Sequence, residues 1–212
     1  MRVLFGVLLT FSALGMTSGA PNARATEDTT TQQLKRVEDI HGGGGPWAVA
    51  GYRMAKTALT TLGFIAEVPH TSQERFQLYV AHYAPLSFVD GQLGPYIQFT
   101  SVADGLHAGT GASIGKANLK ICSVSGIANP TQEQLEVYAT QIVRSVVVSR
   151  KPDQPQRCVE LRVTPNFARD YLNLPVEQLV AKGEEVMELP DDEIFSIIEL
   201  DNCPPPPPEE CL

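Results

Sequence analysis

The sequence predicts a single α+β domain, and three observations carry that expectation. The chain has 212 residues, of which 1–25 read as a removable leader, so the remainder suits one well-buried domain and is too short for two large ones. A helix-like segment comes first, and strand-like and helix-like segments then follow mixed together. No internal repeat interrupts that order.

The leader reading rests on Arg2, the nearly unbroken apolar run Val3 to Leu14, and small residues at Ala23-Arg24-Ala25 where a signal peptidase cuts. Cleavage after Ala25 is favoured over Ala20, because Pro21 would then begin the mature chain. The apolar run falls short of the ~20 residues that span a membrane, and no later segment comes near that length. The expectation is an exported protein, periplasmic or extracellular, without stable membrane insertion.

Residues 26–37 are a polar lead-in, loose or partly helical. Pro46 to Leu62 reads as a helix, with proline in the first turn and Gly63 at the C-terminal cap. Its face of Trp47, Ala50, Gly51, Met54, Ala58 and Leu62 is mostly small, so a close-packed neighbour is expected. Phe76, Leu78 and Val80 alternate with Gln77 and Tyr79 as a half-buried strand. Residues 85–95 form a loop with Asp90-Gly91 as its turn, and Tyr96 to Phe99 is a short second strand. Ser101 to Ala108 is a brief helix capped by Thr100 or Ser101 and stopped by Gly109, and Leu119 to Val124 is a strand.

Thr131 and Gln134 make a capping box ahead of Leu135, Tyr138, Ile142 and Val146, an amphipathic helix. Cys158 to Thr164 is a strand, Asn166 to Leu172 and Val176 to Leu189 are helical, and Ile194 to Leu200 closes the domain as a strand. The domain thus spans 38–200, and a proline-rich, uncovered tail occupies 201–212.

The chain carries 24 acidic and 16 basic residues; losing Arg2 and Arg24 with the leader leaves 14 basic and a net charge of −10. Such a surface steers away from nucleic acid and anionic membrane. Cys122, Cys158, Cys203 and Cys211 can pair in three ways in an oxidising compartment. Five prolines between Cys203 and Cys211 favour polyproline II at ~3.1 Å per residue, which weighs against that pair. Cys122 with Cys158, joining two strands, is the preferred bridge. No Cys-x-x-Cys knuckle of a zinc ribbon is present.

Two glycine-rich blocks hold the candidate chemistry. In His41-Gly-Gly-Gly-Gly-Pro-Trp47, free backbone N–H groups ahead of a helix N-terminus could receive a carboxylate or phosphate; a flexible surface loop explains four glycines equally well. The second block ends in Gly115-Lys116, yet a phosphate-binding loop is excluded, because Thr110 and Ala117 stand where glycine and Ser/Thr are needed. Asp104 and His107 share a helix face, either as a ligand pair or as surface neighbours. His70 and His82 are assigned to the surface, His82 at a strand end. No Gly-x-Ser-x-Gly or His-Glu-x-x-His occurs, and no catalytic residue is assigned. Glu184-Glu185 and Asp191-Asp192-Glu193 read as solvated charges.

These blocks resemble the FmdE family of formylmethanofuran dehydrogenase components. The first is similar to His-Gly-His-x-Cys-Pro-Gly followed by Gly-Tyr-Arg: His41, Gly42, Pro46, Gly51, Tyr52 and Arg53 match, while Gly43, Gly45 and Trp47 replace histidine, cysteine and glycine. The second is similar to Cys-x-x-Asp-Ala-Ile-Gln, then Thr-Gly-Cys-Thr-x-Gly-Lys-x-Asn-Leu. There Asp104, Thr110, Gly111, Gly115, Lys116, Asn118 and Leu119 match. Ser101 and Ala112 replace its cysteines, His107 its glutamine and Ser113 a threonine. A weaker likeness to Pro-Asp-Glu-Glu-Leu-Phe lies at Pro190 to Phe195.

The resemblance implies a mixed sheet packed by helices in a GAPDH-domain-like arrangement, often dimeric, and in many members a zinc ion held by the first block's His and Cys. Without thiolates the soft charged ligands that zinc prefers are gone. Their loss suits export, where a bare cysteine site would oxidise. The resemblance thus leads to an exported, non-catalytic accessory protein holding a small ligand in the cleft between the blocks. His41, Gly43, Gly45, Asp104, His107, Ser113 and Lys116 are its candidate contacts, with Asp104 orienting and Lys116 meeting an anion. Two further expectations stand beside it: a metal-dependent enzyme in which His41, His107 and Asp104 hold a divalent ion such as zinc, and a site-dead structural or interaction protein.

Overall fold

The computed structural model describes residues 29–64, 76–85, 88–89, 92–94, 96–205 and 211. The leader, His70 and the Asp90-Gly91 turn lie outside the described residues. Within them, α1 (Thr30–His41) and α2 (Pro46–Thr61) precede β1 (Leu78–Pro85), the pair β2 (Phe88–Val89) and β3 (Gln92–Leu93), and α3 (Ile97–Thr110). Then come β4 (Leu119–Val124), α4 (Gln132–Val137), β5 (Arg144–Ser149) and β6 (Arg157–Val163). The chain continues through α5 (Pro165–Tyr171), α6 (Leu179–Glu188), α7 (Asp191–Ile194) and β7 (Phe195–Glu199).

Five strands form one sheet in the order β4-β1-β5-β6-β7, with β1 and β4 parallel and the other neighbours antiparallel. Alternate strand residues such as Leu78, Val80, Val147, Val159 and Leu161 join helical side chains in the main core. The opposite set, Tyr79, Ala81, Val146, Val148 and Cys158, forms a second cluster on the other face. This is the expected single α+β domain with a mixed sheet packed by helices.

Local signals explain most boundaries. Pro46 opens α2, and beyond its end Gly63 takes a φ of 72° while the Phe64 N–H reaches back to the Leu59 carbonyl. The Thr131–Gln134 capping box is formed. A second box, Thr29 with Gln32, starts α1, which therefore runs through the expected boundary at residue 37 and buries Val37 in the core.

Five expectations are corrected. Tyr96 to Phe99 is not a strand; Phe99, Val102, Ala103 and Leu106 are buried at helical spacing, and tertiary burial overrides the strand preference of the aromatics. Gly109 does not stop α3; it lies inside it, and Gly111 ends the helix at φ 68°. Val146 belongs to β5, because the helix after Thr131 loosens into a π turn over Tyr138–Ile142. Phe76 precedes β1 and is 66% exposed, while Tyr79 is covered, since β1 is an interior strand with packing on both faces.

The fifth correction concerns the cysteines. The bridges are Cys122–Cys211 and Cys158–Cys203. Two strands, β1 and β5, separate Cys122 from Cys158, so the two lie roughly 14 Å apart across the sheet, far beyond the ~7 Å a disulfide tolerates. The tail is therefore anchored at both ends. Pro204 and Pro205 lie beside Tyr79, Tyr83, Val146 and Val148 on the sheet face that no described helix covers, and the Lys120 ammonium donates to the Cys211 carbonyl at 3.4 Å. In the strand register Cys122 sits beside Tyr83 and Cys158 beside Val148, opposite Tyr79, a diagonal of roughly 19 Å at ~4.8 Å per strand and ~3.3 Å per residue.

Candidate functional site

Helices α2 and α3 pack backbone against backbone. A Cβ on Gly105 would stand 1.9 Å from the Ala48 carbonyl oxygen, and one on Gly51 would stand 2.2 Å from that of Val102. The small face expected on α2 is thus the face that meets α3. On its other side the glycine loop is seated by α6, where a Cβ on Gly183 would strike the Gly44 carbonyl at 1.5 Å. Arg53 fixes the end of α6 by donating to the Met187 carbonyl at 2.7 Å, and it pairs with Asp191 of α7. The Gly-Tyr-Arg motif and the Pro-Asp block of the sequence therefore meet as a structural clamp.

Between these elements lies a cavity of about 370 Å³. Its polar lining is His41, Gln98, Ser101 and Asn173, together with Gly45 at the N-cap of α2. Its apolar walls are Trp47, Ile97, Leu174, Val176 and Leu179. Trp47 is held rigidly: its indole N–H donates to the Tyr171 carbonyl at 2.8 Å, and its ring meets Phe99 and Phe167 edge-on. Tyr171 also lines the cavity, but its hydroxyl is committed to Glu185 at 2.6 Å, and burial first, then that bond, raises its pKa.

The structure joins His41 to Asp104 at 2.8 Å, Nδ1 to Oδ2, across 63 residues of chain. His41, Gly45 and Ser101, three positions where the resembling blocks carry histidine or cysteine, converge on the cavity. The other candidates do not. Gly43 is outside the lining. Ser113 binds Asn118 through its backbone N–H, and Lys116 donates to the Gly111 carbonyl at 2.9 Å. Both follow the far end of α3, roughly 15 Å along the helix from Ser101 at 1.5 Å per residue. His107 lies in the last turn of α3, half-buried, its pKa lowered by burial and then by Lys116, against the pull of Asp104. The cleft expected between residues 41–47 and 104–118 is instead built from 41–48, 97–101 and 171–179, and the third segment carried no sequence signal beyond its apolar residues.

A thiolate zinc site does not fit this lining. Glycine and serine stand at two of its positions, and among the described residues His41 is the one imidazole lining the cavity. Among the described residues no three His, Cys, Asp or Glu side chains converge as a metal-holding group.

His82, assigned to the surface from sequence, is fully buried in the middle of β1. It contacts Ser145 Oγ at 2.9 Å through Nδ1 and the Phe99 carbonyl at 2.8 Å through Nε2, tying the sheet to α3. Burial lowers its pKa from 6.5 to about 4, against the Phe99 carbonyl and Asp104. Between those values the unfolded chain binds a proton that the folded chain refuses, so stability falls as pH is lowered through that window and is fully present above it. The loss amounts to about 3 kcal/mol. Urea denaturation at pH 7 and pH 4.5 is expected to show most of that loss in the wild type and much less in His82→Gln; an equal loss in both would refute the assignment.

Among the described residues no helix is long and apolar enough to cross a membrane. A family model for FmdE, described as Molybdenum formylmethanofuran dehydrogenase operon, matches residues 40–196. No curated protein matches the chain.

Proposed function

Because the chain belongs to the FmdE family, we propose that it is an exported, non-catalytic member that holds a small ligand in the cavity between α2, α3 and the 171–179 segment. One observation carries this reading: His41, Gly45 and Ser101, from segments far apart in sequence, line a single 370 Å³ cavity. That volume lies in the range of small-molecule sites, and a mostly apolar wall with a few convergent polar groups is their usual chemistry. Export is supported by the leader-like N-terminus and by the pairing of all four cysteines, which suits an oxidising compartment.

Ligand-observed NMR with a library of small organic fragments tests the reading. Binders that compete for one site are expected, with affinity about tenfold or more weaker in His41→Ala and the domain still folded, the variant losing the partly buried hydrogen bond to Asp104 as well as the ligand contact. No binders, or binders indifferent to His41, would reject it. A second reading is a metal-dependent enzyme with His41, His107 and Asp104 at a divalent ion. The bond between His41 and Asp104 is the usual support of a metal-bound imidazole, while His107 stands apart from the cavity and no metal-holding group of three is gathered among the described residues. Stoichiometric metal in protein purified from its native compartment would promote it. Full tolerance of substitution at both histidines would leave an interaction or structural protein.

A further inference from the structure

The chemistry of the cavity narrows what it can hold. Among the described residues no Lys, Arg, Asp or Glu lines it, so these residues offer a multiply charged ligand no countercharge. Tyr171 contributes ring surface, because its hydroxyl is taken by Glu185. Ile97 and Val176 line the cavity while remaining 43% and 81% exposed, so the mouth as well as the wall is apolar. Trp47 supplies a flat, immobile wall.

Among the polar lining groups, Ser101 donates to the Ile97 carbonyl, Asn173 donates to the Gln132 side chain and Gln98 is also engaged, so His41 is the group oriented toward a ligand. Asp104 lies outside the lining and engages Nδ1 of His41, so Nε2 is the ring nitrogen left for the cavity, without a protein partner among the described residues. A neutral imidazole that donates Nδ1–H to a carboxylate presents Nε2 as an acceptor. An acceptor set in apolar walls is satisfied by an O–H or N–H donor, and an apolar body that leaves it unpaired forfeits that bond.

We infer that the ligand is a small, uncharged, largely apolar molecule bearing one hydroxyl or N–H, a phenol or a compact alcohol in chemical class, whose donor meets Nε2 of His41. This rests on the proposal that the cavity binds a small ligand. The positive end of α2 also opens at Gly45, and a carboxylate with the same apolar body measures how much that end contributes.

Trp47 is the single tryptophan of the chain, so its emission reports on the cavity directly. The experiment titrates the full chain at neutral pH with 4-tert-butylphenol, tert-butylbenzene, 4-tert-butylbenzoate and inorganic phosphate, exciting Trp47 selectively. The phenol is expected to bind about five- to tenfold more tightly than the hydrocarbon, the gain of one hydrogen bond, and more tightly than the benzoate, with no response to phosphate. His41→Phe, which keeps a ring and removes the acceptor, is expected to make phenol and hydrocarbon equal while both still bind. Equal affinity in the wild type, or preference for the benzoate or phosphate, overturns the inference while leaving a ligand cavity standing. Silence of Trp47 toward every probe overturns both. The wild-type comparison alone decides the matter if the variant does not fold.

Discussion

Gly105→Ala is expected to destabilise the domain by about 3 kcal/mol or more, although alanine is the better helix former by about 1 kcal/mol. The sign is set by sterics. The new Cβ would lie 1.9 Å from the Ala48 oxygen, 2.6 Å from the Tyr52 nitrogen and 2.9 Å from the Gly51 carbon, all backbone atoms that no rotamer change can move. α2 and α3 would have to separate, and with them Trp47 from Ile97 and Ser101 on opposite walls of the cavity. Urea denaturation of wild type and variant measures the loss. A midpoint that stays or rises would show that the two helices are not in such close contact.

Replacing both Cys158 and Cys203 by serine is the other change with a large expected effect, about 2–5 kcal/mol. The bridge closes a separation of 45 residues, and loop entropy for a closure of that length amounts to about 4 kcal/mol in the unfolded chain. Removing Cys122–Cys211, with a separation of 89, is expected to cost a similar amount. The two loops are nested, so the outer bridge closes a shorter effective loop while the inner one is intact, and removing both bridges is expected to cost slightly more than the sum of the separate losses. Folded-state packing adds to the entropy, since Cys203 and Leu200 pack against the cluster of Tyr79, Val146 and Val148. The cavity is on the helical side, so binding measured under native conditions is expected to survive in the variants. Stability within about 1 kcal/mol of wild type would refute the account.

The elements were legible where a local device marks them: Pro46 and Gly63 around α2, the Thr131–Gln134 box before α4, and the alternating apolar residues of β4 and β6. They were illegible where long-range packing decides. Tyr96 to Phe99 has strand composition, yet the sheet has no place for it, and α3 buries its aromatics instead. His82 looked peripheral because its partners, Ser145 and the Phe99 carbonyl, are contributed by β5 and α3, which strand alternation alone cannot bring together. The candidate site was half legible. His41 and Asp104 came from matching blocks and do meet, whereas Lys116 and Ser113 belong to the same block but lie a helix length away from Ser101. Asn173 to Leu179 could not be found from sequence, because they face the cavity only through the placement of α5 and α6.

The anchored tail also orders events during synthesis. Cys122 and Cys158 are made before Cys203 and Cys211, so under the proposed export to an oxidising compartment the first thiols to coexist are the two that must not join. Strand order is the safeguard: once β1 and β5 have inserted between β4 and β6, the early thiols are held apart until their late partners arrive. A chain oxidised before its sheet has formed would be caught with the wrong pair closed, and would depend on thiol–disulfide exchange to recover.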